Sequence, residues 1–195
     1  QTRAVSLAAQ SSTIGLSNTD ELGFNLHYSI GELQIRNIST GKGVFDLVTV
    51  DGYGHSRMVG EPMLPVSTKI IQVPLGANPV FSVLNRENIL LGRMETRLLH
   101  PIMPAQESVS KSSDPARISF EIDEALYRSD TFSSTDLFQL EEIGILRGVR
   151  LFQITYSPIS YNPVKQELEI CKTADIRVDF PGADLAASHE LLSKT

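Results

Sequence analysis

Tryptophan is absent from this 195-residue chain, and cysteine occurs once, at Cys171. A single cysteine excludes an internal disulfide framework and any paired-thiolate metal site. It leaves the compartment open, because a core of this size needs no covalent staples. Histidine occurs four times, at His27, His55, His100 and His189. These are scattered singly, without an HExxH pair and without an acidic cluster at EF-hand spacing, so neither a metal nor a cofactor is expected. No apolar run approaches the roughly 18 residues that span a bilayer. No charged segment followed by an apolar one opens the chain, so any signal peptide is expected to be gone already. The net charge of -6 comes from scattered acids, and no basic run could track a phosphate backbone. Nucleic acid is therefore not an expected partner.

What is present is a globular composition, with 41% hydrophobic and 21% charged residues, which suits one domain. Alternation with period two carries the secondary-structure signal. In Asp175-Ile176-Arg177-Val178-Asp179-Phe180 the apolar side chains fall on one face and the charges on the other, a half-buried strand. Residues 149–180 read as an antiparallel meander, broken by turn chemistry at Ser157-Pro158 and Tyr161-Asn162-Pro163. Earlier strands are expected over 23–28, 32–38, 44–50, 68–73, 80–84, 89–99 and 118–122. Helix is expected only over 123–128 and 184–192, the latter capped by Asp184, with Leu185, His189 and Leu192 on one stripe. The fold class is all-β, an antiparallel, jelly-roll-like sandwich. Residues 1–20 read as a flexible tail, 21–182 as the sandwich, and 183–195 as a C-terminal linker. Two long connections stand out: 51–67, where Pro62 and Pro65 hold the chain extended, and 101–115, rich in proline and serine.

No catalytic constellation accompanies this scaffold. Cys171 has no base arranged around it, and alternation places it on the polar face with Glu167 and Glu169, as an inert, partly exposed thiol. Gly52, Gly54 and Gly60 do not form a phosphate-cradling motif. Asn37-Ile38-Ser39 fits a glycosylation triplet, a pattern that arises often by chance.

Five segments, in order, carry a resemblance: Gly60-Glu61-Pro62-Met63-Leu64-Pro65; Lys69-Ile70-Ile71-Gln72-Val73-Pro74-Leu75-Gly76-Ala77-Asn78-Pro79-Val80; Ser110-Lys111-Ser112-Ser113-Asp114-Pro115; Arg147-Gly148-Val149-Arg150; and Tyr161-Asn162-Pro163-Val164. Over roughly residues 22–185 the chain resembles the propeptide of the gingipain family of bacterial cysteine peptidases. It looks closest to the lysine-specific branch. The resemblance implies a non-catalytic, secreted or periplasmic prodomain that keeps a cognate gingipain-like peptidase latent and assists its folding. It also implies a substrate-like loop whose basic residue enters the specificity pocket. The position matching that residue is Lys111, flanked by Ser110, Ser112, Ser113 and Asp114, with Arg117 as the rival basic contact. On the residues alone, Lys111 reads as a solvated loop lysine; the resemblance assigns it the pocket.

Two readings from other classes compete. A β-sandwich adhesion or carbohydrate-binding module would share the fold alone and would need an exposed aromatic platform or a calcium site. An independent enzyme would need a pocket that assembles distant groups such as His55 and Asp51.

Overall fold

The computed structural model describes residues 2–8, 11–108, 119–133, 136–146 and 148–193. Twelve strands are assigned among them: β1 (Thr2–Ser6), β2 (Thr13–Asp20), β3 (Gly23–Ser29), β4 (Glu32–Thr40), β5 (Gly43–Thr49), β6 (Gly54–His55), β7 (Pro65–Val73), β8 (Val80–Leu91), β9 (Phe138–Leu146), β10 (Val149–Tyr156), β11 (Ile159–Asn162) and β12 (Glu167–Asp179). The helices are short: α1 (Arg93–Thr96), α2 (Glu124–Tyr127) and α3 (Leu185–Ser193). All strand pairing within the sheets is antiparallel, so the all-β, sandwich-type expectation holds.

β12 organises the largest sheet. β8 runs along one edge of it, from Leu91 opposite Leu168 to Val80 opposite Asp179. On the other edge β11 pairs with residues 167–170 and β3 with 173–179, and β2 lies outside β3. A second sheet has the order β6-β7-β10-β9, and a third the order β1-β4-β5.

Two apolar clusters join these layers. In the first, Ile176, Val178, Phe24 and Leu26 meet Val73, Phe152 and Ile154 of the second sheet. Its centre is aromatic: the Tyr156 ring lies 4.5 Å from Tyr28 and 4.8 Å from Phe138, close enough for each pair to add about 1 kcal/mol to simple burial. In the second cluster, Leu168, Ile170 and Ile159 meet Leu33, Ile35, Val48 and Ile102.

A bulge in β12 between Cys171 and Thr173 changes which residues are buried. Leu168 and Ile170 point into the second cluster, whereas Cys171, Ala174, Ile176 and Val178 point into the first. Cys171 is therefore buried in the core, not partly exposed beside Glu167 and Glu169 as strict alternation implied.

Other elements also differ from the reading of the sequence. Within residues 1–20, read as a tail, Val5 of β1 is buried and β2 pairs with β3, but β2 is exposed almost throughout and so leaves no alternation to read. The separate strands expected over 80–84 and 89–99 are one strand, β8, followed by α1. Of the strand expected over 118–122, residues 119–122 form no strand, and residue 118 lies outside the described residues. Both expected helices are present; Asp184 caps the second as expected, its Oδ1 accepting from Ala187 N at 2.9 Å, and Asp123 caps the first, its Oδ1 accepting from Leu126 N at 3.0 Å.

Candidate functional site at the stems of the 101–115 loop

The connection that was singled out in the sequence leaves the body of the domain through residues 99–106 and returns through 119–127. Both stems are fastened, and the fastening begins at a buried carboxylate.

Asp46 lies in β5 with no exposed side-chain surface. Its Oδ2 accepts from the backbone N–H of Leu99 at 2.7 Å and of His100 at 3.1 Å. Its Oδ1 accepts from Arg3 Nη2 at 2.6 Å and Asn37 Nδ2 at 2.9 Å. The Asp46 N–H also donates to the Pro101 carbonyl at 2.9 Å, and its carbonyl accepts from Met103 N at 2.8 Å. One residue thus sets the register of the outgoing stem, and a buried charge is tolerated because four donors surround it. The Asn37 amide of the glycosylation triplet is engaged in this cluster.

Beyond Asp46 the stem runs along residues 58–63. Pro62 and Pro104 face each other, and neither has an N–H; the bonds go through their neighbours, Met63 N to Met103 O and Ala105 N to Glu61 O, each at 2.8 Å. Gly60 then joins the two stems. Its N–H donates to Ala105 O at 2.8 Å on the outgoing stem, and its carbonyl accepts from Asp123 N at 2.9 Å on the returning one. Gly60 has φ +85°, and a Cβ there would sit 3.1 Å from Asp123 N, so glycine is required on both counts.

The returning stem is held by Phe120 against Phe45, with ring centroids 5.5 Å apart, and by Tyr127, whose hydroxyl donates to Ile102 O at 2.6 Å. Burial pushes the Tyr127 phenol well above its ordinary range. Gln106 and Glu121, the last hydrogen-bonded pair among the described residues, are joined twice: Gln106 Nε2 donates to Glu121 O at 2.7 Å, and Glu121 N donates to Gln106 Oε1 at 3.0 Å.

Ser110, Lys111, Ser112, Ser113, Asp114 and Arg117 all lie outside the described residues. The stems were the part that sequence reading missed. A lone aspartate in the apolar run Phe45-Asp46-Leu47-Val48 was the available signal for Asp46.

The other segments of the resemblance act as fasteners. Arg150 grips Glu142 through Nε at 3.1 Å and Nη2 at 2.9 Å, donates from Nη1 to Ala77 O at 2.6 Å, and lies 5.2 Å over the Phe152 ring. Its hydrogen bonds hold the Glu142 carboxyl below the usual range. Asn162, almost wholly buried, donates to Asp130 Oδ1 at 2.9 Å and accepts from Lys165 N at 3.0 Å. The Asn162 bond first, and then the Lys165 ammonium 3.3 Å from Oδ1, lower the Asp130 pKa.

No catalytic grouping emerges among the described residues. His55 Nε2 is 2.9 Å from Val48 O and lines a groove on the β7–β10 face, whereas Asp51 lines a separate depression with Ser6 and Gly31. His27 pairs with Asp175 at 2.7 Å and His189 with Glu21 at 3.0 Å, and no three potential metal ligands converge among the described residues. Among the large apolar side chains that are exposed, Phe81 is the one aromatic in the described residues, and it leans on Phe138. The Cys171 thiol is raised first by burial, and its Sγ donates to Thr173 O at 3.3 Å. Native protein is expected to react with a thiol reagent at pH 8 at least about tenfold slower than protein in denaturant. Equal rates would show the thiol to be accessible.

The described residues form an antiparallel β-sandwich that fastens both stems of the 101–115 connection. The family model Propeptide_C25 matches residues 11–195, and the chain belongs to this family of gingipain propeptides. It is 32% identical to Lys-gingipain of Porphyromonas gingivalis over 193 residues, covering 98% of this chain and 11% of that protein. It is 24% identical to Gingipain R2 of the same organism over 157 residues, 80% of this chain and 20% of that protein. The chain thus spans about a tenth of the length of the lysine-type relatives. A solved structure concerning the zymogenic latency of gingipain K from Porphyromonas gingivalis superposes with a TM-score of 0.87 at 31% identity, over 94% of this chain and all of that one. The complex of the pro- and mature domains of Porphyromonas gingivalis RgpB shares the fold, with a TM-score of 0.72 at 22% identity over 87% of this chain and 86% of that one. As a propeptide, the domain is non-catalytic.

Proposed function

We propose that this domain keeps a gingipain-like cysteine peptidase latent by offering Lys111 to the peptidase's specificity pocket as a substrate mimic. The observation that carries the reading is the convergence of both loop stems on Gly60 and on the Gln106–Glu121 pair, in a domain of the propeptide family. A loop anchored at both ends loses less entropy on docking than a free peptide of the same sequence. Lys111 supplies a compact ammonium on a flexible stem, suited to a carboxylate at the end of a narrow pocket. Ser110, Ser112, Ser113 and Asp114 form the flanking contacts, and Arg117 is the second basic group. The partner is the peptidase domain of the same precursor, and docking against it also assists its folding. The domain acts in the secreted or periplasmic space. No helix among the described residues is long and apolar enough to cross a membrane.

Titrating the purified domain against a lysine-specific and an arginine-specific gingipain-type peptidase tests the reading. Inhibition of the lysine-specific enzyme at least about tenfold tighter is expected, because an ammonium and a guanidinium pocket differ in geometry. Failure to inhibit either enzyme at micromolar concentration would overturn it.

A further inference from the structure

The Gln106 side chain does for the loop what a strand pair does for a hairpin. Its Oε1 accepts from the N–H of Glu121 and its Nε2 donates to the carbonyl of the same residue, so one primary amide replaces the backbone of an absent partner strand. The orientation of this amide is fixed by its surroundings. Nε2 also faces the carbonyls of Pro104 at 3.1 Å and Ala105 at 3.2 Å. Turning the amide over would set its oxygen against three carbonyl oxygens and its NH2 against an N–H.

Gln106 makes the outermost hydrogen bonds between the two stems among the described residues. Below it, Ala105 and Asp123 are both held on Gly60; beyond it lie Glu107 and Ser108, exposed on one side, and Phe120 on the other. Without Gln106 the two stems remain closed on Gly60, which holds residues 105 and 123. Moving the closing contact from positions 106 and 121 to 105 and 123 changes closure entropy little. What is lost is the fixed direction of the two strands where they leave the body of the domain.

We propose that Gln106 is a positioning residue for inhibition: it holds the loop base so that the presented peptide binds the peptidase as an inhibitor and is poorly hydrolysed as a substrate. This rests on the latency reading above. A peptide whose two flanks cannot separate resists the displacement that near-attack geometry and departure of the new ends require, whereas a loosened loop can adopt both. Water adding across a loop peptide bond is then faster, and binding weaker.

The test compares the domain carrying Gln106→Met, which keeps the length of the side chain and removes all of its hydrogen bonds, with Gln106→Glu, which keeps the acceptor for Glu121 N and removes the donors. Lys111→Ala runs in parallel. The readouts are the inhibition constant against the lysine-specific peptidase, the rate at which the loop is cut, followed by mass spectrometry, and the thermal midpoint. For Gln106→Met the inhibition constant is expected to rise about tenfold, with loop cutting faster by a similar factor and the midpoint within about 3 °C of the parent. Gln106→Glu sets a carboxylate oxygen against the same three carbonyl oxygens, so it should raise the constant at least as much as Gln106→Met. If Gln106→Met does not fold, Gln106→Glu decides: a raised constant with a parental midpoint supports the proposal, and an unchanged constant overturns it. An unchanged constant and cutting rate for Gln106→Met, with Lys111→Ala strongly impaired, overturns the role of Gln106 and leaves latency standing. No effect from either Gln106→Met or Lys111→Ala overturns the substrate-mimic reading itself.

Discussion

Replacing Lys111 with alanine is expected to raise the inhibition constant against the lysine-specific peptidase by about 100-fold or more. The magnitude follows from what the pocket loses. A charged pair desolvated at the centre of an interface and then deprived of one partner costs about 2–5 kcal/mol, and each 1.4 kcal/mol is a factor of ten. The remaining docked surface still binds, so inhibition weakens without vanishing, and most of the change appears as faster dissociation. Lys111→Arg separates the charge from its shape: the constant against the lysine-specific enzyme rises, while that against an arginine-specific enzyme falls, because the guanidinium fork suits a different arrangement of acceptors. Arg117→Ala, as the control for the second basic group, should change the constant less than threefold. If Arg117→Ala weakens inhibition more than Lys111→Ala does, the presented residue is Arg117, and the register of the mimic shifts with it.

The parts of this molecule that could be read from the sequence were those in which one physical rule acts alone. The stretch 175–180 alternates because one face of β12 meets the core and the other meets water, and the buried Ile176, Val178 and Phe180 answer that pattern. Asp184 announced a helix start because a side-chain oxygen beside orphan N–H groups is a local requirement. Where two rules meet, the pattern fails. The β12 bulge inserts one residue and buries both Ile170 and Cys171, each in a different cluster, so period two misplaced the thiol. β8 is apolar at Val80, Phe81, Val83, Leu84 and Leu90, yet all of these are exposed, so hydrophobicity there did not report burial. In the candidate site, Lys111 was reached through resemblance, whereas Asp46, Gly60 and Gln106 each fix a stem through at least one partner 15 to 63 residues away. Glu121 is 15 residues from Gln106, Leu99 is 53 from Asp46, and Asp123 is 63 from Gly60. No local window holds such pairs.

Asp46→Ala is expected to be the most destabilising single change in the described structure, costing about 3–5 kcal/mol and lowering the thermal midpoint by about 10 °C. The carboxylate is fully buried and accepts from four donors, two of them backbone N–H groups that define where the outgoing stem begins. Alanine removes every acceptor at once. Leu99 N, His100 N and the Asn37 amide all lose the acceptor they share. The Arg3 guanidinium keeps only its bond to the Arg97 carbonyl, at 2.8 Å. Arg3→Ala should cost less, because Asp46 retains Asn37 and the two backbone donors. The pair is coupled, so the double variant should be less destabilised than the sum of the two singles by at least about 1 kcal/mol. Urea unfolding of the four proteins measures that coupling directly. A loss below about 1 kcal/mol for Asp46→Ala would mean that the stem register is set by the bonds of Pro101 and Met103 to the β5 backbone. In that case inhibition should also survive the substitution. If the loss is as large as expected, inhibition should weaken even where the domain remains folded, because the path from β5 through Gly60 to the loop starts at this carboxylate.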